Sequence, residues 1–409
     1  MITDEFLQRL PKTDLHVHLD GSIRLSTLIE LAEQYHVELP ADTESGLREK
    51  VFKDSYGDLG EYLEGFAYTI AVMQTESALF RVAYELGIDS QAEGVRYLEV
   101  RFAPQLHIHQ HLSCENVLRA VSDGLSKARD EFNARPAVRD GKEPPFEFGI
   151  IVCALRMFQH GFSEYYDQLL TVHAHSEPKW IYALASLEMA RAAVQVRNEA
   201  GLPIVGFDLA GQEAGYPAVA HREAFAYAHK HFLKKTVHAG EAFGPESIFQ
   251  AITELHADRI GHGTHLFDPE MIQDPDIADK EGFVEDLAQF IADRRITLEI
   301  CLTSNLQTHP DLHDLSQHPY RKMAQEKLSV TFCTDNRTVS NTTVSQELRK
   351  AVNHLDLDPA DLKNTIIYGF KRSFYPGTYL EKRRYVRRVI DYYTSIEREF
   401  GEPQAPTPR

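Results

Sequence analysis

The sequence predicts a (β/α)₈ barrel, a ring of eight parallel strands that alternate with helices. Two observations predict it: short apolar runs rich in β-branched residues occur eight times, and stretches with helical spacing lie between them. The runs are DLHVHLD, VRYLEVRFAP, FEFGIIVCALR, IVGFDLAG, KKTVHAG, RIGHG, ITLEICLTSN and LSVTFCTDN. Strands that are covered on both faces are nearly continuously apolar, and eight such units can close into a ring. A barrel is therefore favoured over an open doubly wound sheet.

The segments between these runs complete the predicted architecture. Apolar residues return at three- and four-residue intervals in ENVLRAVSDGLSKARDEFNA, LEMARAAVQVRNEAG and REAFAYAHKHFLKK, as they do in amphipathic helices. Residues 41–80, between the first two strands, carry additional helical pattern and are expected to form an inserted flap. We therefore expect one domain over residues 1–400 and a disordered tail over residues 401–409.

Composition excludes several classes of function. The formal net charge of -18 opposes nucleic-acid binding, which depends on basic residues that neutralise phosphates. No apolar stretch approaches the roughly 20 residues that span a bilayer, and the amino terminus lacks the pattern of a signal peptide. Four cysteines are scattered singly, which disfavours a thiolate metal site. A cytoplasmic enzyme acting on a small neutral molecule is expected, while its oligomeric state stays open.

Two histidines in the first run have the spacing of metal ligands. His16 and His18 lie two residues apart on a predicted strand, so their side chains project from the same face. A lone His-x-His pair also occurs as ordinary surface or core histidines, so its meaning depends on the other strands.

Those strands supply further polar groups where they end. His238 and Glu241 follow one run, His262 lies between two glycines, and Asp335 ends the last run. The carboxyl ends of all strands in a barrel converge on one face, which carries the chemistry of barrel enzymes. Imidazole and carboxylate ligands suit a catalytic zinc ion with one position open for water, although iron, manganese or cobalt could take the same ligands.

Five motifs carry a resemblance to a known family. They are HVHLDGSIR at 16–24, FDLAGQE at 207–213, HAGE at 238–241, RIGHG at 259–263 and CTDN at 333–336. In this order they resemble the adenosine deaminase family of metal-dependent, amidohydrolase-type barrel hydrolases. The likeness extends from about residue 11 to the end of the last barrel unit.

The resemblance implies an activity and assigns residues to it. The expected reaction is hydrolysis of the 6-amino group of a purine nucleoside, which converts adenosine or 2′-deoxyadenosine to the inosine form and ammonia. Glu241 would transfer the proton to the purine ring, and His262 would orient the attacking hydroxide. The residues that would hold one Zn²⁺ per chain are His16, His18, His238 and Asp335.

The resemblance also implies substrate contacts. His18 is expected to lie against the substrate, Asp20 would accept from a ribose hydroxyl, and the backbone N–H of Gly211 would donate to the purine. Tyr62, Leu63 and Phe66, in the inserted segment, resemble the apolar gate of the family, and helical core packing is an equally good interpretation.

One position departs from the commonest family pattern, which has two consecutive aspartates. Here Asp335 is followed by Asn336. The purine nitrogen that this side chain would face is an acceptor, so an aspartate must be protonated to donate to it, whereas an amide donates at every pH. The purine interpretation therefore survives the substitution.

Several alternatives stay open at this point. The substrate could be another 6-aminopurine compound, such as adenine, methylthioadenosine or aminodeoxyfutalosine, although Asp20 favours a ribosyl group. A barrel amidase or phosphotriesterase would need a strand-end lysine that bridges two metals, and the runs offer none. A catalytically silent nucleoside-binding protein belongs to a different class, and retention of Glu241 and His262 argues against it.

Overall fold

Eight parallel strands form one sheet, in which each strand pairs with the next along the chain. The computed structural model describes residues 2–309 and 312–401. The strands are β1 (Lys12–His18), β2 (Val95–Phe102), β3 (Glu147–Leu155), β4 (Ile204–Ala210), β5 (Lys234–Ala239), β6 (Arg259–His262), β7 (Thr297–Ile300) and β8 (Ser329–Phe332). Each lies within or overlaps one of the predicted runs, so the predicted barrel is confirmed.

The barrel is closed by contacts between β1 and the residues that follow β8. The backbone N–H of His18 donates to the carbonyl of Asp335 at 2.7 Å, and the N–H of Asp335 donates to the carbonyl of His16 at 2.8 Å. Closure of the ring therefore places three of the predicted site residues side by side.

Helices cover the outside of the strands. They are α1 (Asp4–Arg9), α2 (Leu25–Tyr35), α3 (Glu44–Lys50), α4 (Leu59–Glu64), α5 (Phe66–Val72), α6 (Glu76–Ala92), α7 (Cys114–Asn133), α8 (Pro136–Arg139), α9 (Glu164–Val172), α10 (Pro178–Gln195), α11 (Arg222–Lys230), α12 (Pro245–Thr253), α13 (Lys280–Arg294), α14 (Leu302–Thr308), α15 (Tyr320–Gln325), α16 (Val344–His354), α17 (Pro359–Arg372) and α18 (Tyr379–Gly401). Every residue of β2 and of β4 is buried, as expected for strands covered on both faces.

The inserted segment between β1 and β2 is helical, as predicted. It contains α3, α4, α5 and the start of α6. The side chains of Thr43, Asp58 and Thr75 accept hydrogen bonds from backbone N–H groups at the starts of α3, α4 and α6. These polar caps satisfy N–H groups that have no partner within the helix, and so they fix where each short helix begins.

Two boundaries differ from the sequence analysis. The run ITLEICLTSN is a strand only as far as Ile300, and Leu302 already begins α14, because an apolar run alone does not distinguish a strand from a helix start. Helix α18 continues to Gly401. The predicted disordered tail otherwise falls on residues 402–409, outside the described residues.

The length and apolar character of the helices bear on whether the chain could cross a bilayer. Among the described residues, none of the helices combines the length and the apolar character that crossing a membrane requires. The cytoplasmic location stays a prediction.

Candidate active site

The predicted metal ligands come together at the carboxyl ends of the strands. His16 and His18 lie near the end of β1, and barrel closure sets Asp335 beside both. The register of β5 and β6 pairs His238 with Gly261 and Ala239 with His262, which makes the two histidines neighbours. Gly261 has no side chain for a physical reason, because a Cβ there would lie 2.9 Å from the His16 ring.

The distances between these groups fit a metal ion. One nitrogen or oxygen atom from each of His16, His238, His262 and Asp335 lies within 4.8 Å of the others. His18 joins them, since its Nε2 lies 3.1 Å from His238 Nε2 and 3.5 Å from Asp335 Oδ1. The Nε2 atoms of His16 and His262 are buried and form no hydrogen bond with any described residue. Buried nitrogens need a partner, and a cation at the centre would supply one.

A second layer of polar groups orients the histidines and Asp335. His16 Nδ1 lies 2.9 Å from Glu299 Oε2, and His238 Nδ1 lies 3.1 Å from Asp208 Oδ2. A carboxylate at Nδ1 keeps the proton there and leaves Nε2 free to bind a metal. The hydroxyl of Ser304 donates to Asp335 Oδ2 at 2.6 Å and fixes that carboxylate in turn.

Arg101 links the two carboxylates that hold the histidines. Its guanidinium contacts Asp208 at 3.0 Å and Glu299 at 2.8 Å, and all three side chains are fully buried. Burial opposes ionisation of Glu299, but Arg101 and Arg259 outweigh it and hold the pKa of Glu299 well below its usual value. Both carboxylates therefore stay charged in the dry centre of the barrel, because each is paired.

The backbone is strained at two positions of the site. His262 has φ 64° and Asp335 has φ 59°, in the left-handed region that few residues other than glycine adopt. Such conformations persist only where the surrounding structure enforces them, and they are concentrated at functional sites. Burial disfavours the charged form of Asp335, but contact with His16 and its charge prevail and hold the pKa of Asp335 below its ordinary value.

Glu241 lies in the loop after β5, close to this group. Its carboxylate is almost completely buried, and Oε1 lies 3.5 Å from His262 Nε2. Burial, followed by the negative charge of Asp335, raises the pKa of Glu241 to about 8. Burial also lowers the pKa of His262 well below its ordinary value. These two shifts favour a protonated carboxyl on Glu241 and a neutral imidazole on His262 at neutral pH.

Glu213 holds the loop that carries Glu241, a role that the sequence analysis missed. Its carboxylate accepts from four consecutive backbone N–H groups and from one hydroxyl at distances of 2.5–3.0 Å. The donors are Gly240, Glu241, Ala242, Phe243 and Ser247. Successive N–H groups that converge on one anion form a rigid nest. These five hydrogen bonds therefore hold the loop in place beside β5.

A cavity of about 860 Å³ opens in front of these groups. Asp20, Gly211 and Asn336 line it together with His18, Glu241 and Asp335. Among the described residues that line it, none is Lys or Arg. The site can therefore accept a neutral molecule but offers no cation for a phosphate.

The predicted substrate contacts differ in what they offer to this cavity. Burial raises the pKa of Asp20 to about 7, and its Oδ1 forms no hydrogen bond with any described residue. Gly211 has φ 89°, a conformation that glycine adopts without strain. Asn336 donates from Nδ2 to the hydroxyl of Tyr62 at 2.8 Å.

The inserted helices form one wall of the cavity. Leu59, Tyr62, Leu63 and Phe66 all line it, and Tyr62 is only 1% exposed. The ring of Tyr56 packs edge-on against that of Tyr62, with centroids 5.1 Å apart. The residues of this segment therefore pack against each other and also line the cavity, while a role as a gate stays a prediction.

Comparison with known proteins adds an independent line of argument. The family model described as adenosine deaminase matches residues 11–392. An adenosine deaminase of Mycolicibacterium vanbaalenii is 37% identical over 375 residues, which cover 91% of this chain and 92% of that protein.

Two solved structures share the fold at low identity. The adenine deaminase of Arthrobacter aurescens superimposes with a TM-score of 0.72 at 22% identity, over 94% of this chain and 99% of that one. The N6-mAMP deaminase of Arabidopsis gives a TM-score of 0.71 at 24% identity, over 95% and 99%. One fold thus serves proteins described by different substrates, so the substrate must be argued from the residues that line the cavity.

Proposed function

Because this chain belongs to the adenosine deaminase family, we propose that it hydrolyses the 6-amino group of adenosine and 2′-deoxyadenosine. It is a hydrolytic deaminase, acting on the C–N bond of a cyclic amidine. The products are inosine or 2′-deoxyinosine and ammonia, so one water is consumed for each amino group released.

The observation that carries this proposal is the placement of Glu241, whose buried carboxylate lies 3.5 Å from His262 Nε2 beside the predicted metal ligands. An aromatic purine resists addition at C6 unless the adjacent ring nitrogen, N1, is protonated. A glutamate with an ordinary pKa would be ionised at neutral pH and could not give that proton. Burial raises the pKa of Glu241 to about 8, which favours the protonated carboxyl at neutral pH, so Glu241 is able to give a proton to N1.

We propose that His16, His18, His238 and Asp335 bind the metal ion, and that this ion is zinc. Nitrogen and oxygen donors without thiolate suit a catalytic zinc ion that keeps one position open. When bound, such an ion lowers the pKa of water toward ~7 and so makes hydroxide available at neutral pH.

His262 serves as the residue that orients the attacking oxygen. Its ring is neutral because burial lowers its pKa, and Nε2 carries the single ring hydrogen while Nδ1 accepts from an amide, so Nε2 can orient an oxygen by donating to it. The other ring nitrogen, Nδ1, lies 3.2 Å from the amide nitrogen of Asn305, which fixes the ring plane. Its Nε2 lies 3.5 Å from Glu241, so the two groups can act on the same reacting centre.

The cavity favours a neutral nucleoside over a nucleotide or a free base. Asp20 offers a buried carboxylate oxygen to a sugar hydroxyl, which a free base does not possess. A nucleoside monophosphate would bring two negative charges to a wall that has Asp20 and Glu64 but neither Lys nor Arg among its described residues. Both the base and the nucleotide are therefore expected to be poorer substrates.

The test is turnover of adenosine by the purified, zinc-loaded protein, followed by the ultraviolet spectrum. Adenine, 2′-deoxyadenosine, 5′-methylthioadenosine, aminodeoxyfutalosine and AMP are assayed in parallel. Rapid conversion of adenosine to inosine, with slow or no reaction of adenine and AMP, is the expected result.

Each other outcome has a defined meaning. Turnover of a different member of the panel would retain the mechanism and change the substrate. Absence of any turnover by protein with stoichiometric metal would overturn the proposal in favour of a silent nucleoside-binding protein.

A further inference from the structure

The wall formed by the inserted helices contains one buried hydroxyl, on Tyr62 of α4. This ring is 1% exposed and lies among apolar neighbours such as Leu59, Leu63 and Phe66. Burial of a hydroxyl is unfavourable unless hydrogen bonds replace those to water. Because a phenylalanine would fill the same space without that penalty, packing alone does not explain the hydroxyl.

The hydroxyl joins the insertion to the loop after β8. It lies 2.8 Å from the hydroxyl of Ser340 and 2.8 Å from Asn336 Nδ2. The amide of Asn336 donates to the Tyr62 oxygen, and between Tyr62 and Ser340 either hydroxyl can be the donor. All three side chains are at most 2% exposed. The Tyr62 hydroxyl therefore links Asn336 and Ser340 in one buried chain of hydrogen bonds.

The amide of Asn336 is also fixed on its other side. A Cβ added to Gly21 would lie 1.8 Å from Asn336 Oδ1, so the amide occupies space that only a glycine leaves open. Asn336 Oδ1 is buried and forms no hydrogen bond with any described residue. The side chain thus sits in a slot between Gly21 and Tyr62 at the edge of the cavity.

The hydrogen-bond count of the amide leaves groups available for a ligand. An asparagine amide has two N–H groups and one carbonyl, and Tyr62 takes one of the N–H groups. Asn336 follows Asp335 directly, so it is next to the position at which C6 of a purine would react. In the proposed reaction, Glu241 gives a proton to N1, which lies on one side of C6. The acceptor on the opposite side of C6 is N7, in the five-membered ring.

We propose that the Tyr62 hydroxyl is a specificity-determining positioning group, which with Ser340 orients the Asn336 amide so that one N–H remains for purine N7. This inference rests on the proposed function. It gives the inserted segment a part in recognising the purine, because Asn336 is held correctly only when α4 is seated on the barrel. Tyr62 acts through Asn336 and does not itself contact the reacting atoms.

The test compares adenosine with 7-deazaadenosine, in which a C–H group replaces N7, in the zinc-loaded protein and its Tyr62→Phe variant. The variant removes only the hydroxyl. We expect KM for adenosine to rise about fivefold, the worth of one hydrogen bond, with kcat changed less than about twofold. The inhibition constant of 7-deazaadenosine should stay within about twofold, because that ligand has no N7 to recognise.

Tyr56→Phe is the matched control. Tyr56 belongs to the same segment and packs against Tyr62, but its hydroxyl donates to the carbonyl of Val51 at 3.3 Å, away from the site. This variant should leave both constants unchanged. A double-mutant cycle provides a second measurement: in an Asn336→Ala background, Tyr62→Phe should change KM for adenosine less than about twofold.

Two results would overturn the inference. One is a Tyr62→Phe variant that weakens adenosine and 7-deazaadenosine equally, which would indicate a structural role. The other is full additivity of the two substitutions in the cycle. Turnover of adenosine by the unaltered chain is measured first, so failure of the proposed function is distinguished from failure of this inference.

Discussion

The carboxylate of Glu213 accepts a hydrogen bond from the backbone N–H of Glu241 at 3.0 Å. The same carboxylate accepts from the N–H groups of Gly240, Ala242 and Phe243. Glu241, which is proposed to protonate the purine, therefore lies in a loop that Glu213 holds in place. Arg156 lies 3.9 Å from Glu213 and donates to the carbonyl of His238 at 2.6 Å. The loop is thus tied to β5 as well.

Glu213→Gln is expected to lower kcat about tenfold or more, because small displacements of a catalytic group have large effects. The glutamine keeps one acceptor oxygen, and its NH₂ group would face backbone N–H donors. Steady-state kinetics should give a lower kcat with little change in KM, and zinc content should stay stoichiometric. Glu223→Gln, on the exposed face of α11, is the control. An unchanged kcat would show that the contacts of Glu213 do not position Glu241 for catalysis.

Glu241→Gln should abolish turnover while the metal stays bound. Glutamine is similar in size but has no proton to give, so general acid catalysis worth about 10²–10⁴-fold is lost. The measurement is kcat with adenosine, alongside zinc content by elemental analysis. Glu270→Gln, at an exposed position, serves as control. Activity within tenfold of the unaltered chain would exclude Glu241 as the proton donor.

The rate should fall on the alkaline side of neutrality. Burial, followed by the charge of Asp335, raises the pKa of Glu241 to about 8, so the proton-bearing form dominates below that pH and is lost above it. A bound divalent cation stabilises the carboxylate and so lowers the pKa of Glu241. The pH at which the rate falls is therefore expected to lie at or below about 8. A profile of kcat/KM against pH measures the limb. A rate that stays level well above pH 8 would show that the proton comes from another group.

The barrel fold could be predicted from the sequence because the strands of the barrel are covered on both faces. A continuous apolar run is visible without any tertiary information, as in FGIIVCAL of β3. The exact end of β7 was not predictable, since ITLEICL stays apolar across the point where the strand gives way to α14. The grouping of His16, His18, His238 and Asp335 was predictable because each lies at or near the end of a strand, and the structure brings them together; their role as metal ligands stays a prediction.

The partners of those residues were missed for a different reason. Arg101, Asp208 and Glu299 meet only after distant strands have closed into a ring. Their signal was present, because a charged residue within an apolar strand is rare unless it is paired. Glu213 is the last residue of the FDLAGQE motif, but the motif does not reveal what the side chain binds. Its partners are backbone N–H groups, which every residue except proline carries and which no sequence pattern distinguishes.

Asp208→Asn should weaken zinc binding about 10- to 100-fold, the usual effect of losing a group that orients a metal ligand. Asp208 lies 3.1 Å from His238 Nδ1 and 3.0 Å from Arg101, and an amide would lose the charge that pairs with both. Competition with a chelator gives the zinc Kd independently of activity. Asp167→Asn, on the half-exposed surface of α9, should leave it unchanged. An unaltered Kd in the Asp208 variant would show that His238 is oriented by other contacts.

Asn336→Asp is expected to keep the metal but make adenosine binding depend on pH. The amide donates at every pH, whereas a carboxyl group donates only while it is protonated. The new carboxyl would be buried next to Asp335, and both burial and the neighbouring negative charge raise a carboxyl pKa, so it would lose its proton near neutrality. Once ionised, it would accept from the Tyr62 hydroxyl, which now accepts from Asn336. KM for adenosine should therefore rise with pH in the variant and stay nearly level in the unaltered chain. Parallel KM profiles for the two proteins, at equal zinc content, would show that this side chain does not donate to the purine.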